Sequence, residues 1–146
     1  MIYGATGSVG TAAIEVAKHY GATVTAVCSK RGEALAKQLG SDKLVDYTQE
    51  DFTELNEQFD IVFDAVGKTK KKQVAPILQP NGKYYTVGGM DVAKETGEQV
   101  AFLTSLFEAG ELHANIDKSY PLEEIVAAHT YVDSERKKGN VVVRMA

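Results

Sequence analysis

The sequence predicts an α/β fold in which a doubly wound parallel sheet lies between two layers of helices. Short runs rich in β-branched residues alternate with longer segments of helical apolar spacing from residue 2 to residue 87. This alternation is typical of a parallel sheet that is covered on both faces. Glycines such as Gly21 and Gly40 follow the helical segments, where they favour helix ends. The length of 146 residues is enough for one compact domain with a sizeable core.

Five strands are predicted before residue 88: Ile2–Tyr3, Thr23–Cys28, Leu44–Asp46, Asp60–Ala65 and Lys83–Val87. Helices are predicted between them at Val9–Tyr20, Gly32–Leu39 and Lys68–Leu78, with a partly helical stretch at Gln49–Glu57. The first helix is expected to share one apolar face among Val9, Ala13, Val16, Ala17 and Tyr20. Pro80-Asn81-Gly82 is a turn signal before the fifth strand. Right-handed crossovers then predict the strand order 3-2-1-4-5.

After Gly89 the alternation loosens. The remaining elements are predicted as an amphipathic helix at Gln99–Ala109, a strand at His113–Ile116, a helix that Pro121 opens, and a last strand at Asn140–Met145. The apolar face of the first of these helices is expected at Val100, Leu103, Leu106 and Phe107, and that of the second at Leu122, Ile125, Val126, His129 and Val132.

Composition and charge exclude several classes of partner. The formal net charge is −4, so the total charge does not favour nucleic acid or an anionic membrane. No apolar run approaches the length of a membrane span. Cys28 is the only cysteine, which excludes a disulfide framework and a cysteine zinc cluster. We therefore expect a reduced, cytoplasmic setting, with no nucleic-acid or membrane partner and no metal bound by this chain.

A glycine-rich turn, Gly4-Ala5-Thr6-Gly7-Ser8-Val9-Gly10, lies between the first strand and the first helix. This is the position of the dinucleotide fingerprint of Rossmann folds. Gly7 would let the backbone approach a pyrophosphate at the helix N-terminus, and Gly10 would let the helix pack close to the sheet. Ala5 stands where the fingerprint has its first glycine. The alternative is a tight turn that binds nothing.

The end of the second strand is basic. Dinucleotide-binding domains that prefer NAD carry an acidic residue there for the ribose 2′-hydroxyl. This sequence instead has Ser29, Lys30 and Arg31. Lysine and arginine suit a phosphate through charge-assisted hydrogen bonds, so the segment predicts NADP(H). The alternative is that both cations are solvated charges at the start of a helix.

Two further loops are small or glycine-rich and follow the fourth and fifth strands. They are Ala65-Val66-Gly67 and Val87-Gly88-Gly89. Because ligands of such sheets bind beyond the carboxyl ends of the strands, these loops would leave space for a ribose and a nicotinamide ring. Tyr47 follows the third strand and could cover the adenosine end.

These stretches resemble the medium-chain dehydrogenase/reductase superfamily, and within it the branch of quinone oxidoreductases and zinc-type alcohol dehydrogenases. The resemblance is carried by IYGATGSVGTAAIEVAKHYGATVTAVCS, LGSDKLVDYTQEDF, FDIVFDAVG, LQPNGKYYTVGG and YPLEEIVAAHTYV…KKGNVVVRM. It implies a pyrophosphate contact at Gly7, Ser8, Val9 and Gly10, a 2′-phosphate side at Ser29, Lys30, Arg31 and Tyr47, and a nicotinamide end at Ala65, Val66, Gly67, Val87, Gly88 and Gly89.

The resemblance also carries an expectation about domains. Members of the superfamily have a GroES-like catalytic domain before the cofactor domain, so this chain looks like a cofactor-domain fragment. Residues 1–118 would form the NADP-binding Rossmann domain, and residues 119–146 would join the catalytic domain. Met90-Asp91 would mark a shortened region, with Val92-Ala93-Lys94 as the remnant of a sixth strand.

The implied function is hydride transfer between NADP(H) and a small molecule, namely a carbonyl, quinone or alcohol. No residue of the chain is identified as catalytic. A non-catalytic NADP(H)-sensing module and a methyltransferase-like domain are the alternatives, although the basic end of the second strand argues against the latter. Relatives are often dimers, so a homodimer is a further expectation.

Overall fold

In a computed structural model, which describes residues 1–89 and 95–145, the chain forms a five-stranded parallel sheet. Its strands are β1 (Ile2–Tyr3), β2 (Thr25–Cys28), β3 (Lys43–Asp46), β4 (Phe59–Asp64) and β5 (Leu78–Thr86). They lie in the order β3-β2-β1-β4-β5, which confirms the predicted fold and strand order. The direction in which successive strands are added changes at β1, whose neighbours are β2 and β4. In open α/β sheets, ligands bind outside the carboxyl ends of the strands at such a switch point.

Two layers of apolar side chains cover the sheet, one on each face. On one face, helices α1 (Ser8–His19) and α2 (Glu33–Gln38) pack through Ile14 and Ala36 against Ile2 and Ala26 of the strands. On the other face, helix α3 (Lys71–Val74) and two 3₁₀ turns (Phe52–Glu54 and Ala75–Ile77) pack against β2, β3 and β4. Successive strand residues point to opposite faces, so the central strands are buried on both sides.

The buried face of α1 differs from the predicted one. Val9 and Tyr20 were expected in the core but are 45% and 70% exposed. The helix instead buries Gly10, Thr11, Ile14 and Glu15. The predicted Ala13 and Ala17 do pack against the core. The buried face is centred elsewhere because Gly10 has no Cβ and allows close approach, and Ile14 follows one turn later on the same side.

The segment between β4 and β5 also differs. The helix predicted over Lys68–Leu78 is reduced to α3 and the 3₁₀ turn at Ala75–Ile77, because Pro76 cannot donate the N–H that an α-helix needs. Strand β5 begins at Leu78 and includes the predicted turn Pro80-Asn81-Gly82. These residues form an irregularity in the pairing, since the register with β4 shifts between Phe59 and Ile61.

The C-terminal region adds helix α4 (Gly97–Glu108) and a separate parallel pair, β6 (Ile116–Pro121) and β7 (Asn140–Arg144). Helix α5 (Ile125–Asp133) connects the two strands. The strand predicted at His113–Ile116 is wrong in its bounds, because β6 begins at Ile116. Residues 111–115 instead pack against α1, where Glu15 accepts hydrogen bonds from His113 and Asn115.

The apolar faces predicted for α4 and α5 are mostly exposed. On α4 only Leu106 is buried, whereas Val100 and Phe107 are each 60% exposed. On α5 the buried residue is Ala128. Within the described residues, every helix is too short or too polar to cross a membrane. The expected shortening at Met90-Asp91 and the expected strand remnant at Val92-Ala93-Lys94 lie outside the described residues.

Candidate dinucleotide-binding site

The loops that follow the five strands of the large sheet begin at one common edge. Four hydrogen bonds tie the first residues of these loops to a neighbouring strand: Gly4 N to Val27 O (3.0 Å), Tyr47 N to Cys28 O (3.3 Å), Ala65 N to Tyr3 O (2.9 Å) and Val87 N to Asp64 O (3.0 Å). All the residues predicted to contact a cofactor lie in these loops or at the start of α1. The fold therefore brings them together along one edge.

Two glycines of the first loop are required by the fold itself. Gly4 has a φ of +75°, which residues with a Cβ rarely adopt. It supplies the tight turn that the fingerprint assigns to its first glycine, while Ala5 is fully buried in the core. Gly10 allows close packing, as predicted, because a Cβ there would lie 2.1 Å from Gly4 O.

Gly7 is different, because no contact among the described residues requires it. A Cβ built on Gly7 would lie 3.5 Å from Gly4 O, an ordinary van der Waals distance, and its φ is −81°. Gly7 is the N-cap of α1 and gives the first turn no side-chain cap. The N–H groups of Ser8 and Val9 are thus among those that a helix leaves without internal partners. This arrangement fits the pyrophosphate of a dinucleotide, which needs close backbone approach and N–H donors.

The loop after β2 presents the basic residues. Ser29 is the N-cap of a 3₁₀ turn formed by Lys30–Gly32. Gly32 packs on Thr6 of the first loop, since a Cβ on Gly32 would lie 2.6 Å from Thr6 Oγ1. Arg31 is exposed, and Lys30 forms an ion pair with Glu33 at 2.8 Å. The Lys30 side chain is 80% exposed, so the pair is weak and leaves the ammonium accessible.

Aromatic side chains border the loop after β3. The Tyr47 ring meets Tyr3 edge to face at 6.1 Å, and Tyr3 stacks on Phe52 at 4.6 Å. Asp46, at the end of β3, accepts hydrogen bonds from the side chain and backbone of Thr48, which hold its pKa below the usual value. About half of Tyr47 remains exposed, and its position beyond the strand ends is the predicted one.

A buried carboxylate shapes the loop after β4. Asp64 is fully buried, and its Oδ1 accepts hydrogen bonds from Val66 N (2.9 Å) and Gly67 N (2.8 Å). Its Oδ2 accepts from Thr69 N and Thr69 Oγ1, both at 2.7 Å. Burial raises the pKa of Asp64, but these hydrogen bonds outweigh burial and lower it below the usual value. Asp64 is therefore a charged anchor that fixes the backbone course from residue 65 to residue 69.

The loops after β4 and β5 also contact each other. Gly67 has a φ of +78°, and a Cβ there would lie 2.8 Å from the Cα of Gly88. A Cβ on Gly88 would meet the same backbone at 2.7 Å. Val66 and Val87 are partly exposed beside this contact. The two loops are thus in direct backbone contact at the place where the sequence predicts the nicotinamide end.

The C-terminal region closes the first loop from the other side. Gly139, between α5 and β7, forms an isolated bridge with Gly7. The N–H of Gly139 donates to Thr6 O at 2.7 Å, and Ser8 Oγ donates to Gly139 O at 3.0 Å. Lys137 Nζ donates to Ser8 Oγ at 2.7 Å. A segment remote in sequence is therefore part of this edge.

Sequence reasoning missed four residues of this edge: Gly4, Asp64, Lys137 and Gly139. Asp64 had a local signal, because it is a carboxylate at the end of an apolar strand and directly precedes a predicted binding loop. Gly4 also had a local signal, because it stands one residue before the position at which the fingerprint has its first glycine. Lys137 and Gly139 had none, since their partners are about 130 residues away.

Metal ligands do not converge anywhere in residues 1–89 and 95–145. Those residues contain no group of three or more His, Cys, Asp or Glu side chains that could hold a metal ion. His19 and His113 each contact a carboxylate, Glu111 and Glu15 respectively, on separate parts of α1.

Comparisons with known proteins agree with this geometry. The family model for zinc-binding dehydrogenases matches residues 39–143. The 2-methylene-furan-3-one reductase of Solanum lycopersicum is 33% identical over 152 residues, which cover 98% of this chain and 39% of that protein. The chloroplastic NADPH-dependent alkenal/one oxidoreductase of Arabidopsis thaliana is 30% identical, with the same coverage of 98% and 39%. The chain thus spans about two fifths of the length of these relatives.

A solved structure extends the similarity to three dimensions. The quinone oxidoreductase of Coxiella burnetii matches with a TM-score of 0.80 and 24% identity, over 99% of this chain and 52% of that chain. At this identity the match shows the fold alone. The family match covers most of the chain and includes the loops after β3, β4 and β5. The chain therefore belongs to the zinc-binding dehydrogenase family of the medium-chain dehydrogenase/reductase superfamily.

Proposed function

We propose that this chain binds NADP(H) and orients its nicotinamide for hydride transfer to or from a carbonyl, quinone or alcohol. In this proposal it forms the cofactor-binding part of an oxidoreductase, with residues 1–118 as the binding domain and residues 119–146 joining the rest of the enzyme. The observation that carries the proposal is the edge at which the glycine-rich turn and the basic loop Ser29-Lys30-Arg31 meet through the Thr6–Gly32 contact.

The choice of NADP(H) rests on charge at the end of β2. The N-cap Ser29 offers a hydroxyl, Lys30 an exposed ammonium and Arg31 an exposed guanidinium. The Lys30–Glu33 pair is weak enough for a phosphate dianion to compete with it. The relative from Arabidopsis thaliana is named as NADPH-dependent, which supports the same choice here.

The remaining loops would hold the rest of the cofactor. The N–H groups of Ser8 and Val9 would face the pyrophosphate beside Gly7 and Gly10. Ala65, Val66, Gly67, Val87, Gly88 and Gly89 would line the nicotinamide end, and Tyr47 would cover the adenosine end. When bound, NADPH supplies the hydride. The chain's own task would be to fix the position of the ring, because Asp64 holds the course of the loop at the nicotinamide end.

The proposed substrate class is inferred from the names of the relatives. The names of the two curated relatives refer to a furanone and to alkenals and enones, so we propose a conjugated carbonyl compound as the substrate of the complete enzyme. Since no general acid or base stands out on the described edge, substrate contacts would come from the rest of the enzyme. We expect the isolated chain to bind NADPH and to turn over poorly.

Titration with NADPH and NADH, followed by calorimetry or nicotinamide fluorescence, tests the cofactor proposal. We expect tighter binding of NADPH. The double variant Lys30→Ala/Arg31→Ala should weaken NADPH binding by roughly tenfold to a hundredfold, because it removes both cations that would hold the 2′-phosphate. NADH binding should remain unchanged. The matched control is Lys71→Ala/Lys72→Ala, which removes the same charge from exposed positions on α3.

Equal affinity of the wild-type chain for NADPH and NADH, or an unchanged NADPH affinity in the double variant, would refute the NADP(H) proposal. The variant Gly7→Ala tests the pyrophosphate position separately. It should melt like the wild type, because its Cβ has space, and should bind both dinucleotides more weakly. If the complete enzyme bound NADPH without reducing any conjugated carbonyl or quinone, a sensing role would replace the enzymatic one.

A further inference from the structure

The turn Pro80-Asn81-Gly82 lies outside the hydrogen-bonded ladder between β4 and β5. The pairs on either side of it are Phe59 with Leu78 and Ile61 with Lys83. Four residues of β5 therefore stand opposite a single residue of β4, and the additional residues form a bulge. The asparagine of this turn is exposed. Its backbone is not fixed by the pairing that holds the rest of the two strands.

Packing requires a glycine directly after this asparagine. A Cβ built on Gly82 would lie 2.9 Å from Phe59 O and 3.0 Å from both the N and the O of Gln79. Because all three contacts are with backbone atoms, a larger residue at this position would displace one of the chain segments. The fold thus combines an exposed asparagine with a following residue that has no side chain.

An asparagine that precedes a glycine can react with its own backbone. The N of Gly82 attacks Cγ of Asn81, the bond from Cγ to the amide nitrogen breaks, and ammonia leaves with the proton of the Gly82 N–H. A side chain on the attacking residue hinders this step, and glycine has none. Water then opens the resulting cyclic imide. Cleavage between the nitrogen and Cγ gives aspartate, whereas cleavage between the nitrogen and the main-chain carbonyl carbon gives isoaspartate.

The other three asparagines of the chain lack this combination. Asn56, Asn115 and Asn140 are followed by a glutamate, an isoleucine and a valine, whose side chains hinder attack by the backbone nitrogen. Two of these amides are also held in place, since Asn115 Nδ2 donates to Glu15 and Asn140 Nδ2 donates to Ala114 O. The chain therefore carries its own internal controls.

We propose that Asn81 is a site of spontaneous deamidation, at which water converts the side-chain amide into aspartate and isoaspartate while the chain stays folded. The turn lies at the amino end of β5, whereas the loops of the candidate binding site follow the carboxyl ends of the strands. The inference is thus independent of the proposed function. The two products differ in their effect on the fold. Aspartate adds only an exposed charge, whereas isoaspartate adds a methylene group to the main chain of the turn that seats Gly82 against Phe59.

The test incubates the purified chain at mildly alkaline pH in water labelled with heavy oxygen, and then maps its peptides by mass spectrometry. Conversion of amide to labelled carboxyl should accumulate at Asn81 and stay at background at the other three asparagines. A parallel sample in urea should convert Asn81 at a similar rate, because the bulge already gives the folded chain the freedom that the reaction needs. The variant Asn81→Gln should lose the modification and the accompanying release of ammonia.

Thermal unfolding separates the effects of the two products. Asn81→Asp mimics the aspartate form and should melt like the wild type, as should the matched control Asn56→Asp, which places the same charge at another exposed position. The isoaspartate form, isolated from the aged chain by chromatography, should melt a few degrees lower, because its turn no longer fits against Phe59.

Three outcomes would overturn the inference. The first is an intact Asn81 in the folded chain, whether or not the sample in urea reacts, since the fold would then protect the amide or the pair would be inert. The second is equal conversion of all four asparagines, which would remove any role of the bulge and of Gly82. The third is an isoaspartate form that melts like Asn81→Asp, which would show that the turn does not depend on the contact of Gly82 with Phe59.

Discussion

Replacing Asp64 with alanine is expected to destabilise the fold and to loosen the loop at the nicotinamide end. The carboxylate is fully buried and accepts five hydrogen bonds: three from backbone N–H groups, one from Thr69 Oγ1 and a long one from Tyr84 OH at 3.5 Å. Alanine would leave these donors without their acceptor. Because Val66 and Gly67 are partly accessible, water can replace some of the lost bonds but not all of them.

The expected loss can be estimated from these contacts. One buried donor left without a partner costs about 1–3 kcal/mol. With three backbone donors in a partly accessible loop, we expect the free energy of unfolding to fall by about 3 kcal/mol. For a chain of this length, such a loss lowers the melting temperature by roughly 6–12 °C. The affinity for NADPH should fall as well, because the loop no longer holds one course.

Thermal and urea unfolding of Asp64→Ala, with Asp60→Ala as the matched control, measure this loss. Asp60 lies on the same strand but is exposed, so its removal should change stability by less than about 0.5 kcal/mol. The pH dependence gives a second check. The pKa of Asp64 lies below its usual value of 3.8 in the folded chain, so its contribution is complete above about pH 5 and is lost as the pH falls through the folded pKa. The two unfolding curves should converge in acid. Equal stability of Asp64→Ala and Asp60→Ala at pH 7 would refute the reasoning.

Gly10→Ala should reduce the free energy of unfolding by about 2 kcal/mol, because the new Cβ would meet backbone atoms at 2.1 Å. Gly97→Ala, whose Cβ would have no atom of the described residues within 4 Å, should leave stability unchanged or raise it by up to about 1 kcal/mol. Urea denaturation distinguishes the two, and equal responses would contradict the close approach of α1 to the sheet. Cys28 should react negligibly with a disulfide reagent at pH 8, because burial raises the pKa of its thiol to about 11. Addition of urea should restore the reaction, and a fast reaction of the folded chain would show that the thiol is accessible.

The parts of the fold that could be predicted from the sequence are those with local causes. β-branched runs mark the strands, and glycines mark the turns at which the chain must take a positive φ. Gly67 illustrates this. Its φ of +78° and its close backbone contact with Gly88 both require a residue that has no Cβ. Parallel pairing then follows from the alternation of elements, and the common edge follows from parallel pairing.

The sequence does not predict which face of a helix packs against the sheet. The apolar spacing of α1 predicts a contact face that includes Val9 and Tyr20, but the buried face is the one on which the helix comes closest to the backbone beneath it. Gly10 sets that closeness, and Ile14 lies one turn further along the same side. Val9 and Tyr20 are left outside because a smaller residue permits a shorter distance. A hydrophobic pattern records how much surface is apolar and not how near two backbones can approach.

The site itself shows the same limit at longer range. The order of the loops along the edge follows from the strand order alone. The position of the segment that contacts the glycine-rich turn depends instead on a series of contacts, from Glu15 to Asn115 and from Asn115 to Gly139. Each link has a physical cause: a buried carboxylate needs donors, Asn115 takes a φ of +46°, and only glycine fits beside its carbonyl oxygen. None of these causes leaves a pattern in the residues around 139, where a basic stretch followed by glycine is typical of an ordinary surface turn. Glu15, a carboxylate on the buried face of α1, requires donors that the helix itself does not supply, and the distant residues His113 and Asn115 provide them.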